Sequence, residues 1–274
     1  MRVLRVRAEL RGRVVLQPRL ARGPLLCSDW WVDGVESRSY EVTDPGDESV
    51  AYVLLHGIGV SSQFFATLAD ALEPHGRVLM IDLPGFGGLD RPDYPLDIGD
   101  FAEVVEAVLA EIPLPERVVL VGHSMGTQVV TEMLARAPGR YTAAMLMAPV
   151  VSHDESSLGR LLLRFLLSVL REQPVQAMVV VSSYARCGVA WFREVLPSML
   201  RYPISDRIAG LVDPVLILGG SRDHVSTEAF RCHLAAEAQQ AEVVTLPKTA
   251  HGIVRGNEGR LLELLVGLAG EPPS

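Results

Sequence analysis

Lysine is almost missing from this chain. Lys248 is the only lysine among 25 basic residues in 274, so arginine carries the positive charge; this reads as a composition bias of the source and not as chemistry. Cysteine is scarce as well. Cys27, Cys187 and Cys232 lie far apart, which excludes the short spacings of a metal site or a redox pair, and an odd, sparse count suits a reducing compartment. No apolar run reaches the roughly 18 residues that a membrane helix needs. The arginine-rich amino terminus has no continuous apolar stretch of the kind a secretory signal carries. A cytoplasmic protein without stable membrane insertion is expected. Net positive charge is lacking too: at −8, a dedicated nucleic-acid partner is not expected. Repeats and low-complexity linkers are also missing, and 274 residues suit one large α/β domain or a domain with an insertion.

What is present is apolar and periodic. Hydrophobic residues make up 49 % of the chain, enough for a sizeable core. From residue 50 onward, short aliphatic runs alternate with amphipathic stretches. Residues 51–56, 77–82, 117–122, 141–149, 214–220 and 241–247 read as buried strands. Residues 61–73, 97–112, 125–137, 227–238 and 258–268 have helical spacing. Near-continuous aliphatic strands separated by helices predict a parallel sheet covered on both faces. Ahead of it, DWWVDGVESRSYEV holds Asp33-Gly34, a two-residue hairpin signal. Residues 1 to 22 hold seven arginines against Glu9 alone; Arg5, Arg7, Glu9 and Arg11 alternate with Val6, Ala8 and Leu10, the period of a half-buried strand. The alternative there is a basic tail that touches anionic lipid or RNA.

Residues 152–206 break the rhythm. SLGRLLLRFLLSVLREQ is strongly helical, Pro174 starts a second segment and a third runs near Ala190 to Leu200. That exceeds what a crossover needs and predicts a helical lid, with Arg160, Arg164 and Arg171 as a solvated stripe on its first helix. The apolar side of that helix is either core or pocket wall. The expected organisation is a basic extended segment over 1–28, an α/β core over 29–151 and 207–274, and the lid over 152–206.

The sharpest signal is RVVLVGHSMGT, residues 117 to 127, where an aliphatic strand runs into a serine between two glycines. A serine hydroxyl is a weak nucleophile at neutral pH; it needs a base, a group that orients the base, and donors for the oxyanion it creates. G-x-S-x-G between a strand and a helix supplies a tight corner that presents Ser124 and points the Met125 amide from the helix start. LLHGIGVSS (54–62) offers a second amide, Ile58, on a glycine-lined loop. His251 in LPKTAHGIV follows the strand at 241–247 and occupies the place of a base. Asp223 in GGSRDHVS follows the strand at 214–220 and would hold the imidazole in one tautomer. Asp82 and Asp154 are alternatives for the acid, and His56 reads as a structural hydrogen-bonder. Gly57, Phe64, Phe65, Phe86 and His123 are the expected substrate-binding residues, with the three phenylalanines as apolar sidewalls. No metal and no cofactor are expected.

Together HGIG (56–59), DLPGFG (82–87), GHSMG (122–126), GSRD (220–223) and AHG (250–252), in the order Ser, Asp, His, resemble the lid-bearing branch of the α/β-hydrolase superfamily over about residues 30 to 270. The resemblance implies an eight-stranded, mostly parallel sheet, a helical cap after the sixth strand, a metal-free site at the carboxyl edge, and Ile58 and Met125 as amide donors. Serine at the nucleophile position departs from haloalkane dehalogenases and epoxide hydrolases. Gly252, Ile253 and Val254 after the histidine depart from carbon–carbon hydrolases, which usually carry a tryptophan there. The expected activity is hydrolysis of a small-to-medium apolar ester, thioester or lactone through an acyl-enzyme on Ser124. An acyltransferase with the same triad, a carbon–carbon hydrolase and a non-catalytic binder are the alternatives. The partner is a small apolar molecule, and the sequence leaves the oligomeric state open.

Overall fold

A computed structural model describes residues 7–16, 24–43, 45–150 and 188–270. Nine strands form one sheet. They are β1 (Ala8–Leu16), β2 (Leu25–Val32), β3 (Val35–Val42), β4 (Val50–Leu55), β5 (Arg77–Asp82), β6 (Arg117–His123), β7 (Ala143–Met147), β8 (Val215–Gly220) and β9 (Ala241–Leu246), in the spatial order β1-β2-β3-β5-β4-β6-β7-β8-β9. From β5 to β9 every pairing is parallel, whereas β1, β2 and β3 join antiparallel. The helices are α1 (Ala66–Leu72), α2 (Ile98–Ala110), α3 (Met125–Arg136), α4 (Val189–Arg201), α5 (Ile204–Ile208), α6 (Glu228–Glu237) and α7 (Glu258–Ala269).

The aliphatic runs are explained by the pleat. Val53, Leu55, Leu120, Leu146 and Ile217 face one core with α2, α3, α5 and α6. Their sequence neighbours Tyr52, Leu54, Val121, Met147 and Leu218 face a second core with α1 and α7. Both faces of the central strands are therefore dry, and no polar alternation is possible. The hairpin at Asp33-Gly34 forms as expected, with both residues at positive φ (44° and 89°), the conformation of a type I′ turn.

Two expectations change. The sheet has nine strands and not eight, because β1, from the basic segment, pairs along β2; β2 itself crosses the expected boundary at residue 28. Nor is β1 half-buried along its length. Ala8 packs into the core, but Leu10, Val14 and Val15 are 48, 54 and 62 % exposed. A register shift between Leu10 and Gly12 breaks the alternation, and β1 is an edge strand of the sheet. Residues 152–187 of the expected lid, with its three arginines, lie outside the described residues. The described end of that segment, α4, puts Trp191, Val195 and Met199 into the first core. Among the described residues, no helix is long and apolar enough to cross a membrane.

Candidate active site

Ser124 sits between the end of β6 and the first residue of α3, with φ 54° and ψ −120°. A non-glycine residue is rarely found there. The corner is clamped on all sides. The Ser124 amide donates to the Met147 carbonyl at 2.9 Å, and the Ser124 carbonyl accepts from the hydroxyl of Thr127 at 2.6 Å. A β-carbon at Gly122 would strike the Gly126 backbone, and one at Gly126 would strike the backbone of Leu55. The two glycines of the motif are thus required by the approach of α3 to β4 and β6.

Met125, as the first residue of α3, contributes an amide that has no intrahelical acceptor. The opposite wall is the loop after β4. There a β-carbon on Gly57 would come within 2.9 Å of the Ser124 β-carbon, so only glycine lets this loop lie against the serine. His56 fixes the loop's orientation. Its Nδ1–H donates to the Gly57 carbonyl at 2.8 Å, and its Nε2 accepts from the Leu83 amide at 3.0 Å. Across a trans peptide the carbonyl and the following N–H point opposite ways. The Ile58 amide is therefore directed away from His56. Burial pushes the His56 pKa down, which keeps the ring in this neutral tautomer.

Asp223 follows β8 and His251 follows β9, neighbouring parallel strands. His251 Nδ1 and Asp223 Oδ2 are 2.8 Å apart, and the carboxylate's other oxygen accepts from the amides of Val225 (2.8 Å) and Ser226 (3.0 Å). Burial pushes the Asp223 carboxyl up, but the charge of His251, the hydrogen bond from its ring and the two amides outweigh it and hold the group below its ordinary value. An ionised Asp223 accepts from Nδ1–H, which leaves Nε2 as the basic nitrogen of His251. Main-chain bonds lock the two loops to each other: the Arg222 amide donates to the Thr249 carbonyl at 2.8 Å, and the Ser221 amide to the Leu246 carbonyl at 2.9 Å.

His123 joins these loops to the serine turn. Its Nε2–H donates to the His251 carbonyl at 3.0 Å, its ring lies 5.2 Å from the His251 ring, and it stacks on Phe64 at 4.2 Å. Burial, followed by the charge of His251, pushes its pKa down to about 3. His123 is therefore a neutral strut. Of the three expected sidewalls, Phe64 reaches His123, whereas Phe65 packs edge-on against Phe64 within the second core. Phe86 is fully buried near His56 and Trp191 in the first core, one layer behind. Asp82, the alternative acid, accepts from the Ser62 amide at 2.7 Å; Asp154 lies outside the described residues. The amide donors to Asp223 escaped the sequence reading. Their signal is an aspartate whose side chain caps the turn of the next three residues. Among the described residues, no group of three His, Cys, Asp or Glu side chains is placed to hold a metal ion.

The chain is similar to several known proteins. The pimeloyl-[acyl-carrier protein] methyl ester esterase of Pectobacterium atrosepticum is 26 % identical over 254 residues, covering 79 % of this chain and 93 % of that one. The enol-lactonase from Burkholderia xenovorans LB400 superposes with a TM-score of 0.75 at 20 % identity, over 87 % of this chain and 98 % of that one. A thermophilic esterase from Thermogutta terrifontis superposes with a TM-score of 0.72 at 16 % identity, over 93 % and 96 %. At such identities the structures speak for the fold alone. Residues 52–260 match the pattern of the Alpha/beta hydrolase family, and with the strand order and the turn at Ser124 already in place, the chain belongs to the alpha/beta hydrolase family.

Proposed function

We propose that the chain is a serine esterase that acts on small-to-medium apolar esters, thioesters or lactones. The observation that carries this reading is the Asp223–His251 hydrogen bond of 2.8 Å, together with a strained strand-to-helix turn at Ser124 whose neighbour His123 donates to the His251 carbonyl at 3.0 Å. Ser124 Oγ attacks the substrate carbonyl while His251 Nε2 takes its proton. The negative charge that forms on the carbonyl oxygen is met by the amides of Ile58 and Met125, each worth about 3 kcal/mol of barrier. The bond to the leaving group then breaks, and His251 gives that group its proton. Water, deprotonated by the same imidazole, attacks the acyl-enzyme and releases the acid.

The relatives support a carboxylic ester as substrate class, since one is named for a methyl ester esterase activity. A lid over residues 152–206 would keep bulk solvent out of the pocket while admitting the hydrolytic water, and the protein would work in the cytoplasm. The test is turnover of p-nitrophenyl esters of rising acyl length, with thioester and lactone controls. Activity with a defined optimum in acyl length, abolished in Ser124→Ala, is expected. Full activity in Ser124→Ala would overturn the reading.

A further inference from the structure

Arg231, on α6, is fully buried, yet among the described residues no carboxylate forms an ion pair with it. A buried guanidinium carries a desolvation penalty, and an apolar side chain of similar volume would fill the same space without it. What an apolar side chain lacks is two directional arms. One arm of Arg231 donates to the Ser226 carbonyl. The other donates to Thr245 Oγ1 on β9 at 3.2 Å. The residues around it are cut to fit: a β-carbon at Gly219 on β8 would collide with the guanidinium.

Both arms lead to the site. Ser226, whose carbonyl Arg231 holds, donates its own amide to Asp223 Oδ1 at 3.0 Å. Thr245 lies on the strand that delivers the His251 loop. We infer that Arg231 is a positioning residue, whose guanidinium ties the Asp223 turn to β9 and so sets where the carboxylate meets His251. The inference rests on the esterase reading for its catalytic consequence, but the geometry it describes does not depend on that reading. The carboxylates that act on Arg231 are those of Asp223 and Glu228, with Asp223 first and opposing the effect of burial. Among the described residues, Asp223 and His123 are titratable groups that face His251.

The test follows the protonation of His251 by NMR, with its signal assigned through His251→Asn. Arg231→Lys keeps the charge and loses the fork, and Thr245→Val keeps the whole guanidinium and loses one anchor. If Arg231 aims Asp223, the imidazolium loses support. The His251 midpoint then falls by at least about 0.5 pH in Arg231→Lys and by less in Thr245→Val. In an Asp223→Asn background Arg231→Lys adds no further shift, because there is no carboxylate left to aim. In hydrolysis, kcat falls at least about tenfold with KM within twofold. An unchanged midpoint in Arg231→Lys, or an equal shift with and without Asp223, would overturn the inference. If Ser124→Ala keeps full activity, the esterase reading falls, while the titration still decides the role of Arg231.

Discussion

Ser124 is stored at φ 54° by contacts that do not involve its hydroxyl, so strain and chemistry are separable at this residue. Ser124→Ala and Ser124→Gly are both expected to lose hydrolysis. Only glycine relieves the backbone, and equilibrium unfolding should find it about 1 kcal/mol more stable than the alanine variant. His123 provides a second test. Its folded pKa, about 3, lies below its unfolded one, so the stability it contributes is present above the unfolded value of 6.5 and is withdrawn as pH falls. The unfolded chain gains a proton that the folded one refuses, at a cost of about 1.4 kcal/mol per pH unit. Denaturant unfolding between pH 6.5 and 4.5 should therefore lose stability less steeply in His123→Phe than in the parent. The motif residues were legible in the sequence because a backbone clamp leaves a local trace of glycines around it. The roles of Arg231 and of the His56 tautomer were not, because each depends on partners that only the fold brings near.

Elements were readable where both faces are covered. Strands β4 to β8 and helices α2, α3 and α4 fall within a few residues of their expected bounds, because burial on two sides writes a continuous aliphatic run. Strand β1 was readable as a strand but not in its exposure, since alternation alone does not reveal whether anything covers a face. Helix α2 starts with a reciprocal cap: the Asp97 carboxylate accepts from the Asp100 amide at 2.9 Å, and the Asp100 carboxylate from the Asp97 amide at 2.8 Å. Asp97→Ala is expected to cost about 1 kcal/mol in chemical denaturation. The rate of ester hydrolysis should stay within twofold of the parent.

At the scale of the whole molecule, the sheet brings three segments distant in sequence to one edge, and hydrogen bonds between loops hold them there. His123 reaches the His251 loop, the Arg222 amide reaches Thr249, and Asp223 reaches the imidazole. Under the proposed esterase reading, these hydrogen bonds pre-position the groups that a developing oxyanion requires. Asp223→Asn should then lower kcat by about 10³ to 10⁴-fold with little change in KM, measured by steady-state hydrolysis.

Covalent trapping asks most directly whether Ser124, Asp223 and His251 act as one row. A fluorophosphonate is added to the intact protein, and the adduct is located by mass spectrometry of its peptides. The account predicts one adduct per chain, on the peptide that carries Ser124, formed orders of magnitude more slowly in His251→Ala. An adduct elsewhere, or a labelling rate unchanged by the loss of His251, would contradict it.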